Sequence, residues 1–487
     1  MFAFDRNSAI GAAAALRPSQ PFAGSSARPS KRTFVQAVAN GSFRPIADIR
    51  AAVTFVVAGG DMLTALRSSL LMALLTIGSA SFADNTSQSK VVLAARILDV
   101  RTGHYLSNAA VLVTGDRIEA IGAASDIRAR APGAQLIDLG ARTLLPGLID
   151  AHTHIMARVP ESDDGYIVNL ATKSQAFRAL EGAADARAML RSGFTTIRDV
   201  ESEGAGCGDA ALRDAVAQGL VEGPRMKVAT RGIAQVGQYM PFGIAPDLVG
   251  FRTGAQMVSG VEEVRRAARE QIGCGADLIK IYVDWRHPTF TVEEIKAAVD
   301  EAHKAGIKIA AHATLQQGIA NAVAAGVDSI EHGPRADAAT LKLMKAKGIF
   351  WVPTMAAQDR GIEAALSDPQ RRDRVLALRA SMRSTVANAR QLGVKVALGF
   401  DASEAAYQGH SADEFKAMVK YGFTPLEAIQ TATLGGGELY GDKIGSIEAG
   451  YYADLVAVAG DPVANIDTLS RVSFVMKGGK VVKNGDS

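Results

Sequence analysis

Six side chains of the kinds that hold divalent metal ions close apolar runs in this sequence: His152, His154, Lys280, His312, His332 and Asp401. The first two form a His-x-His pair at the end of Leu145-Pro146-Gly147-Leu148-Ile149-Asp150-Ala151. On an extended strand, side chains at i and i+2 point to the same side, so both imidazoles can reach one ion. Taken alone, two polar residues closing a strand could equally be solvated. Lys280 needs a separate account, because a protonated ammonium has no lone pair for a metal and an apolar strand is a costly place for an unpaired cation. Burial lowers a lysine's pKa, and the neutral amine can add carbon dioxide to become a carbamate, an anionic two-oxygen bridge for two ions. Pairing of Lys280 with Asp277 or Asp284 is the alternative.

The elements that must position these groups follow from the patterning. Strand-like runs are expected at 144–152, 194–200, 226–230, 278–283, 307–313, 329–332, 350–354 and 394–401. Amphipathic helical runs at 261–274, 292–305 and 339–346 separate several of them, and a long one is expected over 358–392. Eight strands with interleaved helices between 150 and 401 match an α/β chain folded as a (β/α)8 TIM-like barrel, whose catalytic groups sit at the carboxyl ends of the strands. All six candidates fall at or near such ends. Short alternating runs at both extremities, such as Val111-Leu112-Val113 and Leu455-Val456-Ala457-Val458, predict a small β-sandwich domain built from both termini. The expected domains are 84–145 and 441–487 for that sandwich and 146–440 for the barrel. Gly435-Gly436-Gly437 lacks the Lys-Ser/Thr of a phosphate loop and reads as a turn.

The chain has 487 residues and is 48% hydrophobic and 21% charged, a globular composition. Its net charge of +3 is unevenly placed: residues 1–83 hold eight Lys/Arg against three Asp/Glu, leaving 45 basic against 47 acidic residues beyond. No nucleic-acid surface follows from that balance. Residues 62–83 have a charged start at Arg67, an apolar centre from Leu70 to Ile77 and small residues at Ser81 and Ala83, the pattern of a cleaved secretory signal peptide. The centre is too short for a stable membrane anchor, so a periplasmic or secreted protein is expected. Met62 is then the physiological start and 1–61 a non-native or disordered extension, or itself a targeting leader. Cys207 and Cys274 are read as two buried thiols, with a disulfide left open.

Pro146-Gly147-Leu148-Ile149-Asp150-Ala151-His152-Thr153-His154, Gly193-Phe194-Thr195-Thr196-Ile197-Arg198-Asp199, Ile279-Lys280-Ile281, Ala311-His312-Ala313, Ile330-Glu331-His332-Gly333, Gly399-Phe400-Asp401-Ala402 and Ala453-Asp454-Leu455-Val456 together resemble the signature set of the amidohydrolase superfamily. The likeness is greatest to the imidazolonepropionase-related branch, which includes Xaa-Pro dipeptidases, carboxypeptidase-like enzymes and ochratoxin-hydrolysing amidases. It spans roughly Val91 to Asn484. The resemblance implies two Zn2+ per chain: His152, His154 and Asp401 on one, His312 and His332 on the other, with carboxylated Lys280 and a hydroxide bridging both. It also implies Asp401 as the proton shuttle. Two departures stand out: Phe400 precedes the aspartate where relatives commonly have a small hydroxyl residue, and the loop after the third strand reads Gln238-Tyr239-Met240-Pro241-Phe242 where many dipeptidase relatives carry Gly-Gly-His. Such a loop could suit an aromatic or apolar substrate group.

Candidate substrate contacts are Arg198 and Tyr282, which could grip a carboxylate, together with Tyr239, His287 and His410. The expected activity is hydrolysis of an amide or peptide bond in a small substrate, a dipeptide or N-acyl amino acid or an ochratoxin-like amide. The alternatives are a cyclic-amide or lactone hydrolase on the same site and a binding protein that kept the fold without catalysis. A homo-oligomer is left open.

Overall fold

The computed structural model of the protein describes residues 89–160, 162, 164–239, 248 and 250–485. The expected extension 1–61 and signal peptide 62–83 lie outside them, as do Met240 and Phe242. Strand β1 (Lys90–Leu98), β2 (Tyr105–Thr114) and β3 (Arg117–Ala123) form an antiparallel meander. Its second turn is made at Gly115, whose φ of 64° lies where a missing Cβ removes the steric cost. Strands β4 (Gln135–Asp138) and β5 (Thr143–Pro146) then pair with β1 in parallel.

Parallel strands alternating with helices follow. Strands β6 (Leu148–Thr153), β7 (Phe194–Asp199) and β8 (Arg225–Val228) make one parallel sheet. Strands β9 (Ile233–Gln235), β10 (Gln256–Val258), β11 (Leu278–Tyr282), β12 (Lys308–Ala313), β13 (Ser329–His332) and β14 (Phe350–Val352) make a second, in the order β10-β9-β11-β12-β13-β14. Asp277 N donates to Val228 O at 2.7 Å where β8 meets β11. The extended segment 394–401 bonds on both sides: Trp351 N to Lys395 O at 2.8 Å and Ala151 N to Leu398 O at 2.7 Å. Strands β6, β7 and β11 are buried at every position, which accounts for their nearly continuous apolar runs.

After this unit, β15 (Leu455–Val458), β16 (Val472–Lys477) and β17 (Lys480–Asn484) return to the first sheet through β5, giving eight strands drawn from both ends of the described chain. Side-chain alternation sorts their faces. Leu455, Ala457, Phe474 and Met476 join Val92, Val111 and Leu144 in the sheet's own core, while Val456, Val458 and Val475 turn the other way into the large core of the parallel unit.

The helices expected at 261–274, 292–305 and 339–346 form over Val261–Gly273, Val292–Lys304 and Ala338–Lys347. Three expectations are corrected. The run 358–392 is two helices, Met355–Ala365 and Arg372–Leu392, broken around Pro369, which cannot donate a helical hydrogen bond and restricts the residue before it. The Gly435-Gly436-Gly437 stretch is helical: a π turn over Thr431–Gly435 runs into the helix Gly436–Tyr440. Glycine is needed there for closeness, since a Cβ on Gly435 would sit 2.1 Å from Val396 O and one on Gly436 2.8 Å from the Ile149 side chain. The cysteines are not two buried thiols. Cys207 is exposed and is paired with Cys274, at a Cα–Cα separation of 5.9 Å, linking the start of helix Gly208–Ala217 to the end of Val261–Gly273.

Candidate metal centre

The carboxyl ends of β6, β13 and segment 394–401 bring His152, His154, His332 and Asp401 together. His154 Nε2 lies 3.1 Å and His152 Nε2 3.6 Å from Asp401 Oδ1, and His332 Nδ1 lies 3.7 Å from Asp401 Oδ2. Donor atoms of His152, His332 and Asp401 all lie within 4.8 Å of one another. At the end of β12, His312 packs against His332 with ring centroids 4.6 Å apart. Lys280, on β11, is buried, at 1% exposed. Its Nζ lies 5.1 Å from the centroid of the Tyr282 ring. Neither rival partner is free: Asp277 binds Arg213 at 2.7 Å, and Asp284 accepts from Thr314 and Leu315 N–H groups at 2.9 Å. His332 and Asp401 both adopt positive φ, 68° and 58°, a strained backbone that turns each side chain inward at its strand end.

The electrostatics suit a site for cations. Burial, with Lys280 nearby, depresses the His152 imidazole to about 4, and burial depresses His332 to about 3. His312 is held well below its usual range by burial and by His332. Burial likewise lowers Lys280. Desolvation opposes protonation of His154 too, but its bond to Asp401 and the charge of Glu203, 3.2 Å away, carry it up to about 9. Burial would raise Asp401, yet His152 and His154 outweigh it and hold the carboxyl well below its usual range. His152 Nδ1 meets Glu331 Oε2 at 2.6 Å, which leaves Nε2 as the lone-pair nitrogen. That Nε2 is buried with no hydrogen-bond partner. Imidazoles and a carboxylate converging around an orphaned buried nitrogen fit a zinc ion in donor type.

Several expected substrate contacts are placed otherwise. Arg198 is 4% exposed and donates to Ala151 O at 2.6 Å, Ser329 Oγ at 3.0 Å and Glu331 Oε1 at 2.6 Å, which makes it a strut inside the protein. Tyr282 donates to Glu201, and Tyr239 lies 3.1 Å from Glu201 Oε2 and 3.4 Å from Glu203 Oε2, so both hydroxyls serve buried carboxylates. Their rings form an aromatic wall with Trp285 beside His312. His287 and His410 are exposed.

Sequence reading missed Glu201, Glu203, Glu331 and Thr354. Glu331 directly precedes a candidate ligand, and on a strand i and i+1 face opposite sides, so strand alternation alone does not bring it to the site. From β13 it meets Nδ1 of His152 on β6 at 2.6 Å. Glu201 and Glu203 follow β7 at i and i+2, the same spacing as His152 and His154, and this was the available signal.

An amidohydrolase family model matches residues 143–482. Ochratoxinase from Aspergillus niger is 30% identical over 439 residues, covering 82% of this chain and 88% of that protein. A crystal structure of a Xaa-Pro dipeptidase with methionine bound in its active site superposes with a TM-score of 0.71 at 31% identity, covering 82% of this chain and all of the other. A prolidase crystallised with N-methylphosphonate-L-proline gives a TM-score of 0.71 at 32% identity, with the same coverage. The chain belongs to the amidohydrolase family, hydrolases that act on amide bonds, and shares the α/β fold of its TIM-barrel-type members.

Proposed function

We propose that this chain is an exported binuclear zinc amidohydrolase that cleaves an amide or peptide bond of a small substrate, a dipeptide or N-acyl amino acid. The observation that carries the reading is the meeting of His152, His332 and Asp401 around a buried, unpartnered His152 Nε2. In this reading β6, β7, β8, β11, β12, β13, β14 and segment 394–401 form a closed (β/α)8 barrel over 146–440. The eight-stranded sheet from both ends, folded over its own apolar core, is the sandwich of 84–145 and 441–487. His152, His154 and Asp401 would hold one zinc, His312 and His332 the other, and a carbamate on the desolvated Lys280 would bridge them. Bound there, the ions would supply Lewis acidity toward the scissile carbonyl and toward water.

The chain's own groups do the rest. Glu331, anchored by Arg198 and Ser329, fixes the His152 tautomer. Asp401 keeps 23% of its side chain exposed, so its carboxylate can take a proton from the attacking water and deliver it to the departing nitrogen. Amide nitrogen leaves poorly unless protonated, which makes that transfer necessary. The Tyr239, Tyr282 and Trp285 wall offers an apolar surface for one substrate group.

Export is supported by the signal-like pattern of 62–83 and by the Cys207–Cys274 disulfide, which suits an oxidising compartment. A panel of dipeptides, N-acyl amino acids and lactones tests the reaction class. Zinc-dependent turnover of amides is expected, and turnover confined to lactones would overturn the assignment.

A further inference from the structure

Helix Met355–Ala365 begins in an unusual way. Its cap residue, Thr354, is fully buried at φ 47° and ψ 50°, a left-handed conformation that β-branched residues rarely adopt, and its side chain makes no capping bond. A threonine in that position ordinarily turns its Oγ to the helix's own N–H groups. Here those donors are satisfied from elsewhere: Met355 N donates to Glu414 Oε1 and Ala356 N to Glu414 Oε2, both at 2.7 Å. Glu414 is fully buried, at the start of helix Asp413–Tyr421 and 59 residues further along the chain from Met355. The Thr354 hydroxyl, released from capping, lies 2.7 Å from His332 Nδ1. Trp351 Nε1 fixes the same histidine's backbone by donating to His332 O at 2.8 Å.

We propose that Glu414 and Thr354 form a two-step positioning relay for His332: the Glu414 carboxyl group caps helix Met355–Ala365 in place of Thr354, and this frees the Thr354 hydroxyl to orient the imidazole. The inference rests on the proposed function, in which His332 holds a zinc ion. Thr354 and Glu414 are positioning residues, since neither touches substrate. Outer partners of a metal-binding histidine typically change metal affinity by about 10–100-fold when removed. Valine at 354 keeps the shape and loses the hydroxyl, whereas serine keeps the hydroxyl. Glutamine at 414 turns one acceptor into an amide donor facing a backbone N–H, so one capping bond is lost and Thr354 is released from its strained conformation.

The test is competition of the purified full chain against a zinc chelator, with stoichiometry, kcat, KM and thermal melting measured alongside. Thr354→Val and Glu414→Gln are expected to weaken one of two bound zinc ions by about 10–100-fold and to lower kcat more than they raise KM. Thr354→Ser is expected to stay within about threefold of wild type. Should Thr354→Val fail to fold, Thr354→Ala against Thr354→Ser makes the same comparison. A folded Thr354→Val chain with wild-type zinc affinity overturns the relay, as does Thr354→Ser impaired as much as Thr354→Val. Wild-type protein holding no zinc at His332 overturns the proposed function and the relay with it, whereas two zinc ions in wild type and an unchanged Thr354→Val affinity overturn the relay alone.

Discussion

Replacing Arg198 with methionine separates two roles for that residue. Glu331 is fully buried and its carboxylate is shared by Arg198 Nη2 at 2.6 Å, His152 Nδ1 at 2.6 Å and Ser329 Oγ at 2.5 Å. The charge on Arg198 holds that carboxyl well below its usual range against the effect of burial. Methionine fills much of the volume and leaves the carboxylate without its cation, and removing one partner of a buried pair costs about 3–5 kcal/mol. That is a large share of the 5–15 kcal/mol by which typical domains are stable. Urea unfolding of wild type, Arg198→Met, Glu331→Gln and the double variant measures it. The singles are each expected to lose about 3–5 kcal/mol, and the double variant less than their sum by at least about 1 kcal/mol. kcat should fall with stability, because Glu331→Gln removes the carboxylate that fixes the His152 tautomer and Arg198→Met removes the anchor that holds that carboxylate in place. A residue that gripped substrate would raise KM and leave unfolding unchanged. Loss below about 1 kcal/mol in Arg198→Met, with a raised KM, would refute the strut assignment.

Other perturbations probe the frame around the site. Gly435→Ala puts a Cβ 2.1 Å from Val396 O and should cost about 1–3 kcal/mol by overpacking, read as a lower thermal midpoint. Asp284, which accepts Thr314 and Leu315 N–H groups, is nonetheless raised to about 6, chiefly by burial. An acid whose folded pKa exceeds its unfolded value costs stability once ionised, so this group should lower stability as pH rises from about 4 through about 6, by about 3 kcal/mol. Asp284→Asn should flatten that part of a urea-midpoint profile against pH, and an unchanged profile would contradict it. Opening the Cys207–Cys274 loop, whose ends are 67 positions apart, should cost up to about 4 kcal/mol in the chain-entropy account, measured as the melting difference between oxidised and reduced protein.

Much of the fold was legible because strand and helix periods are local. The runs ending in His152, His312 and His332 announced themselves by continuous burial-prone residues, and the observed strands end within a residue or two of them. The break at Pro369 carried a signal that the expectation of one helix over 358–392 passed over, since proline removes a helical donor wherever it falls inside a helix. What stayed hidden depends on distant partners. Glycines at 435–437 signal a turn by composition, and only the approach of Val396 and Ile149 makes a helix of small residues the better solution. Arg198 looked like a rim cation until Glu331, 133 positions away, was found to occupy it. The same holds for Glu414 and Thr354, whose roles depend on where another helix begins.

The central claim is a two-metal centre built on His152, His154, Lys280, His312, His332 and Asp401, and metal stoichiometry tests it most directly. Elemental analysis of the purified chain, dialysed against zinc and then freed of loose metal, is predicted to give close to two zinc ions per chain, falling to one or fewer in Lys280→Ala. One zinc or none in the wild type, or an unchanged two in Lys280→Ala, would contradict it.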